Sequence, residues 1–457
     1  MCWISAKCVS RSATAGSRLL LRVVIGLLVL TCEMNLFAAV VWADDWTQWR
    51  GNNRDGNWNE TGVVNELTAE NLKTVWRQPI GSGYSGPTVA DGRVYVMDRQ
   101  EKPEQAESIW CFDAKTGQRL WQHQYPVTYT ISYTAGPRAS VTIDGGLAFA
   151  VGAMGDLNCL NVADGSVAWK KNLNLEFRIS ETKRMPIWGI TPSPLIFGEL
   201  LILQISGADG AAVVGLDKTT GREVWRALND AGQYSSPVLT KQAGKDVVIC
   251  WTGEAIAGLD PTTGQVFWRH PFPPAQMPIG VATPIIKDDQ IFVTSFYDGS
   301  LMLKMNQQEM SVSEVWSAKG PNERTTQALH SIISTPIWIG DHIYGVDSYG
   351  ELRCLQASDG ARVWESLTAV KKNRWGTIHF VSHSDDVWMF NEQGEIIIGQ
   401  LTPQALVEKS RVKVIDPTTV QLPDRKRGGV CWSHPAFANR CIFVRNDREI
   451  ICIDVSQ

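Results

Sequence analysis

Residues 113–121 read DAKTGQRLW, and variants of that phrase return along the chain: KTTGREVW at 218–225, PTTGQVFW at 261–268, DGSVAW at 164–169 and DGARVW at 359–364. Each pairs a glycine with a tryptophan four residues later: Gly117 with Trp121, Gly165 with Trp169, Gly221 with Trp225, Gly264 with Trp268, and Gly360 with Trp364. With Trp316 included, the tryptophans recur every 43 to 56 residues. Repeats of about 40–50 residues build propeller blades or stacked helical pairs. The content of one unit decides between them. In YSSPVLTKQAGKDVVICWTGEAIAGLDPTTGQVFW (234–268), short apolar or β-branched runs alternate with glycine and Asx turns. No apolar stripe of helical period is long enough to stack. Four short strands per unit predict an all-β chain of four-stranded antiparallel propeller blades.

Cut on this pattern, the units fall at 86–125, 134–173, 189–228, 234–272, 280–320, 332–367, 375–416 and 431–455. The last carries only three strands, and LKTVWRQPI (72–80), with Trp76, stands ahead of the first. The economical expectation is an eight-bladed ring over 72–457, closed by the N-terminal strand completing the last blade. Closure of that kind removes the free sheet edges at which chains aggregate. Most units open on small residues around a proline: SGP (85–87), AGP (135–137), SSP (235–237), ATP (282–284), STP (334–336) and SHP (433–435). An innermost strand has little room and one unpaired edge, so a proline costs little there.

The phrase itself reads as architecture. Its Asp can accept backbone N–H groups in an Asx turn, its Gly supplies positive φ, and its Trp, on the outer strand, reaches the next blade. An Asp-rich cation loop fails on register, because the acid is Asn161 in one unit and Gln356 in another. Blade five (NQQEMSVSEVW) lacks the glycine, and blade seven (TPQALVEKSRV) lacks both glycine and tryptophan.

The net charge of −4 argues against a general polyanion binder, so no nucleic-acid partner is expected. Arg11, Arg18 and Arg22 followed by VVIGLLVL (23–30) and Val41-Trp42-Ala43 read as a signal peptide over 1–43. A lead-in (44–71) then precedes the ring, and the expected location is exported, periplasmic or envelope-associated. A lipidated Cys32 or a retained anchor is the alternative route to the membrane. Seven cysteines follow the cleavage point: Cys111, Cys159, Cys250, Cys354, Cys431, Cys441 and Cys452. Cys111, Cys159, Cys354 and Cys452 share one register with Gly215 and Gly258, the behaviour of a small buried hydrophobe. No CxxC or CxxCH spacing occurs, which argues against zinc and c-type haem, and a Cys431–Cys441 bridge stays open.

The TGxxxW phrases, here Thr116-Gly117 and Trp121, resemble the tryptophan-docking motif of pyrroloquinoline-quinone-type β-propellers, and DWTQWRGNNRDG (45–56) resembles the lead-in of secreted bacterial members. The resemblance spans about 72–455 and implies one of two functions. Quinoprotein dehydrogenases hold the quinone over a tryptophan floor with calcium and a catalytic aspartate, and the methanol and ethanol dehydrogenase type adds a disulfide between adjacent cysteines. BamB-like propellers are non-catalytic. No adjacent cysteine pair occurs among these residues. The expectation is therefore a non-catalytic, monomeric propeller serving an envelope protein or complex, without cofactor and without a resident metal. A PQQ- and Ca²⁺-dependent oxidoreductase of alcohols or sugars is the alternative. So is a small-molecule or glycan binder at the axial mouth.

Two sets of residues carry the functional expectations. Tyr84, Arg138, Trp188, Gln233, Tyr234, His330, Trp375 and Trp432, with His434, stand where chains enter the inner strands and are candidates for an axial ligand site. The blade connections carry Arg178, Lys183, Arg184, Arg324, Lys371, Lys372, Arg374, Arg425, Lys426 and Arg427 on one rim, candidates for docking a partner. His379 and His383 fall on one strand without a third ligand and read as structural.

Overall fold

The computed structural model describes residues 45–182, 185–419 and 428–457. The predicted signal peptide therefore lies outside the described residues, as do Lys183, Arg184, Arg425, Lys426 and Arg427. Among those described, thirty-two strands form eight separate four-stranded antiparallel sheets, in an eight-bladed β-propeller with almost no helix. Seven blades run in simple meander order; blade one, for example, is Thr88–Ala90, Arg93–Gln100, Ala106–Asp113 and Arg119–Pro126. The eighth joins Ala436–Ala438, Cys441–Arg445 and Glu449–Asp454 to Lys73–Pro79 from the opposite end of the chain. Within every blade the strands alternate direction, so outer-to-inner connections emerge on one rim and Asx turns on the other.

The motif works as a chain of couplings between neighbouring blades. Each indole N–H donates to a backbone carbonyl of the next blade: Trp76 to Ala114 O (2.9 Å), Trp121 to Val162 O (2.9 Å), Trp169 to Lys218 O (3.0 Å), Trp225 to Pro261 O (3.2 Å), Trp316 to Ala357 O (2.9 Å) and Trp364 to Thr402 O (2.9 Å). The glycine of a phrase receives the tryptophan of the preceding blade rather than its own. At Gly117, φ is +71° and a Cβ would lie 2.6 Å from the Trp76 ring; Gly165, Gly221, Gly264 and Gly360 receive Trp121, Trp169, Trp225 and Trp316 in the same way. Asp113 shapes the turn by accepting from the backbone N–H groups of Lys115 (3.1 Å) and Thr116 (2.7 Å) and the Thr116 hydroxyl (2.8 Å), bonds that hold its carboxyl below the usual range.

Opposite six of the docking tryptophans, inside the same blade, stands a small residue, whereas Trp316 of blade five faces Met302. Cys111 pairs with Trp121, Cys159 with Trp169, Cys354 with Trp364 and Cys452 with Trp76, while Gly215 and Gly258 face Trp225 and Trp268. The ladder breaks at a bulge just beyond each pair, which turns the indole toward the neighbouring blade. Burial pushes the Cys111 thiol up to about 12, the behaviour of an inert structural cysteine. All seven described cysteines are free. The Cys431 thiol donates to Asp416 O (3.7 Å) rather than bridging to Cys441, which stands on the strand next to that of Cys452.

The two irregular blades solve the docking problem differently. Blade five has no glycine turn, so Trp268 donates to the Gln242 side chain (2.7 Å), whose amide in turn donates to Ser311 O (2.7 Å) of that blade's own turn. In blade seven Ser410 occupies the tryptophan register opposite Ile398, and its hydroxyl accepts from Leu67 N–H (2.9 Å) of the lead-in.

That lead-in is threaded into the ring. Trp46 pairs with Val89 by backbone hydrogen bonds in both directions (2.8 and 2.9 Å), on the innermost strand of blade one. Trp58 N–H donates to Ser382 O (2.9 Å) and its ring packs edge-on against Trp388 (5.6 Å) and tilted on Phe437 (5.1 Å), between blades seven and eight. Arg54 is buried beside the two prolines that precede the inner strands of blades three and four: it donates to Ser193 O (3.1 Å), Pro194 O, Pro237 O (2.9 Å) and Gln48 Oε1 (2.8 Å). Desolvation lowers its guanidinium to about 9.

Candidate functional site

The ring's axis carries an aromatic cup. A cavity of about 120 Å³, well above the 10–15 Å³ that about one water requires, opens among the outer-to-inner connections. Six of the predicted axial residues line it: Tyr84, Arg138, Trp188, Tyr234, Trp375 and Trp432. They come from six different connections, which is why no sequence-local motif announces the site. Tyr84 stacks on Trp432 (6.1 Å between ring centroids, 25° between planes), Trp188 lies tilted on Tyr234 (4.9 Å), and the Arg138 guanidinium sits 4.7 Å over the Tyr84 ring.

Gln233 and His330 do not join them. Gln233 is buried in the wall and its carbonyl oxygen accepts Gly280 N–H (2.8 Å). His330 is fully buried, with Phe296 O at 3.0 Å from Nδ1 and Gly320 N–H donating to Nε2 (3.2 Å). Their position just before inner strands predicts a place at the mouth, but each side chain turns sideways to satisfy backbone between blades. His434 lies below the mouth, under Trp49 (5.1 Å) and against His379 (5.0 Å). His379 Nε2 meets Trp432 O at 2.9 Å and His383 Nδ1 meets Trp58 O at 3.0 Å, so this pair braces backbone.

Two aromatic lining residues escape the sequence reading, as do the smaller side chains Thr191, Ser193, Ser236, Val281, Ile332 and Ile333. Trp49, from the lead-in, forms the floor and donates its indole N–H to Thr283 Oγ1 (2.8 Å). Tyr133 reaches across the mouth, edge-on to Trp375 (5.2 Å), Trp188 (6.0 Å) and Trp432 (6.2 Å), from blades that are far apart around the ring. Tyr133 and Trp375 both hold left-handed backbone, φ +70° and +69°, a costly conformation for bulky residues. The sequence clue to Trp49 was two tryptophans and two arginines within nine residues of lead-in.

The cup's chemistry bears on the quinone alternative. No Asp, Glu, Asn or Gln stands among its lining residues, and its one charged group is the cationic Arg138. A hard divalent cation takes carboxylate and amide oxygens. No cluster of three or more His, Cys, Asp or Glu suited to a metal occurs among the described residues. The lining does not fit the quinone-and-calcium pair.

Behind the aromatic wall, Glu392 accepts from Asn373 Nδ2 (2.8 Å), and burial raises its carboxyl to about 7. Burial lowers His379 to about 4. The two slopes oppose each other. The glutamic acid contributes stability that is full below its unfolded value near 4.5 and is lost as pH rises through 7. The neutral histidine contributes stability present above 6.5 and lost as pH falls through 4. Relative to the parent chain, Glu392→Gln is therefore expected to remove a downward slope between pH 4.5 and 7, a differential effect of roughly 3 kcal/mol across that window. Urea titrations at several pH values check this; an unchanged pH profile contradicts it.

Of the docking candidates within the described residues, Arg178 is paired with Asp209 and Glu181, Lys372 with Glu351 (3.4 Å), and Arg374 with Glu323 through two hydrogen bonds (2.8 and 2.6 Å). Arg374 also packs over the rings of Trp375 (4.7 Å) and Phe296 (5.1 Å), bracing the cup wall. Arg324 lies over Tyr349, and Lys371 is exposed. The rim is thus of mixed charge.

Comparison with known proteins places this geometry. No curated protein matches the sequence. Among solved structures, BamB from Moraxella catarrhalis superposes with a TM-score of 0.53 at 15% identity, covering 84% of this chain and 99% of that one. The quinohemoprotein alcohol dehydrogenase of Comamonas testosteroni gives 0.58 at 12% identity, covering 90% and 81%, and a europium-containing methanol dehydrogenase gives 0.57 at 12%, covering 89% of each chain. At such identities these likenesses establish the fold alone. The family model described as outer membrane protein assembly factor BamB matches residues 57–132 and 105–366, more than half of the sequence. With the blade count, the closing strand and the tryptophan couplings, this match establishes that the chain belongs to the pyrroloquinoline-quinone-like β-propeller family of BamB type.

Proposed function

We propose that this protein is an exported, monomeric propeller that works by binding rather than by turnover, presenting its outer-to-inner rim to another protein of the cell envelope. The observation that carries the reading is the axial cup: aromatic walls, one guanidinium and no carboxylate. A site so composed has hydrophobic and hydrogen-bonding surface for recognition, but no carboxylate or imidazole on its lining to activate a hydroxyl nucleophile. Family membership supports an envelope setting, and the mixed-charge rim suits a partner recognised through complementary charge, which governs on-rate and specificity more than affinity. Partner capture from envelope extract by immobilised residues 44–457 tests this, with Arg324→Glu/Lys371→Glu as the comparison. A partner retained by the parent chain and reduced roughly tenfold by the double variant is the expected result. Capture indifferent to the charge reversal contradicts the rim as the docking surface.

A further inference from the structure

The cup has features that a merely space-filling channel does not need. Arg138 is largely withdrawn from solvent, makes one hydrogen bond, to Gly136 O (2.9 Å), and forms no ion pair among the described residues. Its nearest interaction beyond that is the face of Tyr84. A partly desolvated guanidinium facing an aromatic cavity without a carboxylate is a receptor for an anion, since its planar fork pairs bidentately with carboxylate oxygens. The indole N–H of Trp188 is buried on the same wall with no hydrogen-bond partner among the described residues, an arrangement that costs stability unless an acceptor arrives. Close by, Thr191 donates its hydroxyl to Tyr234 O (3.0 Å), and Ser236 Oγ accepts from Ser193 N–H (2.9 Å), so neutral hydroxyls with spare acceptor capacity ring the lower wall.

The remaining surface is aromatic faces and edges, closed beneath by Trp49 and crossed above by Tyr133. Ring faces suit the flat apolar C–H surface of a pyranose, while scattered hydroxyls and the Trp188 indole N–H suit its hydroxyl groups. An aromatic acid would satisfy the guanidinium but would leave the hydroxyls and the Trp188 N–H unmatched. The strained backbones of Tyr133 and Trp375 fit a preformed binding wall, where such conformations concentrate.

We propose that the axial cup binds a single carboxylated pyranose, a hexuronic acid unit, with its carboxylate on Arg138 and a ring oxygen or hydroxyl accepting from Trp188 Nε1. The inference rests on the reading of the propeller as a binding module and names what its axial site takes.

Tryptophan fluorescence of the mature chain, titrated at low salt and neutral pH, tests it. The probes are D-galacturonate, D-glucuronate and their short oligomers, with D-galactose, D-glucose, benzoate and free pyrroloquinoline quinone as comparisons. Saturable quenching by a uronate, roughly tenfold tighter than by the matching neutral hexose, is expected. Arg138→Gln is expected to erase that preference, and Trp188→Phe to weaken uronate binding while keeping the preference for charge. Circular dichroism confirms that each variant folds. No saturable response to any uronate, equal binding of neutral sugar, tighter binding of benzoate or the quinone, or a preference surviving in folded Arg138→Gln overturns the proposal. Loss of uronate binding with partner capture intact defeats this inference alone. Quinone-dependent turnover defeats the binding-module reading beneath it.

Discussion

Alanine at Trp76 is expected to destabilise the protein by roughly 3–5 kcal/mol, the range for truncating a buried large aromatic side chain. Trp76 sits on the strand that closes the ring, 7% exposed, and fills the space over Gly117 between blades eight and one. Its removal empties that space and orphans the Ala114 carbonyl that its indole N–H satisfies. The reciprocal change, Gly117→Val, is expected to cost a similar amount by a different cause. The backbone there holds φ +71°, and the new Cβ would collide with the Trp76 ring. Because the two residues share one contact, the double variant is expected to lose less than the sum of the singles. Denaturant titrations with an unchanged m value check all three. Additive losses would mean that glycine and tryptophan serve separate ends.

Arg54→Met is expected to lower stability by roughly 3 kcal/mol, because the backbone carbonyls of Ser193 and Pro237 would be left buried without a donor, while Pro194 O would keep only the Thr142 hydroxyl (2.7 Å). Part of that loss is offset by relief of the desolvation that depresses the guanidinium. The same change is expected to release the lead-in from the axis, and with it Trp49 from the cup floor. Limited proteolysis within 45–58, rising severalfold in the variant at constant global fold, is the readout; unchanged protection would show that Trp46 and Trp58 hold the lead-in alone.

The regular part of this molecule was readable because one physical demand repeats. A regular blade must turn tightly, keep a small residue opposite its outer tryptophan and seat that tryptophan on its neighbour, so Gly117, Cys111 and Trp121 have counterparts at a fixed offset in most blades. The closing strand was legible from subtraction, since the last unit lacked what LKTVWRQPI possessed. What escaped was long-range and unrepeated. Nothing near Arg54 in sequence points to carbonyls more than a hundred residues away. Ser410 gave no hint that Leu67 would dock where a tryptophan was missing. Gln242 took over from an absent glycine turn through a hydrogen bond that only packing reveals. At the cup, position relative to the proline motif located six lining residues but could not tell which polar side chains turn inward. Gln233 and His330 turned to backbone groups between blades, and Tyr133 entered from the middle of a connection with no pattern of its own.

The central claim is that the repeated motif builds the ring while the ring itself binds without turnover. Dye-linked oxidation by residues 44–457, supplied with pyrroloquinoline quinone and Ca²⁺ and offered a panel of alcohols and aldoses, tests it most directly. The account predicts dye reduction no faster than in protein-free controls containing the same quinone and cation. Turnover that requires the protein, the quinone and the cation together, and scales with protein concentration, would contradict it.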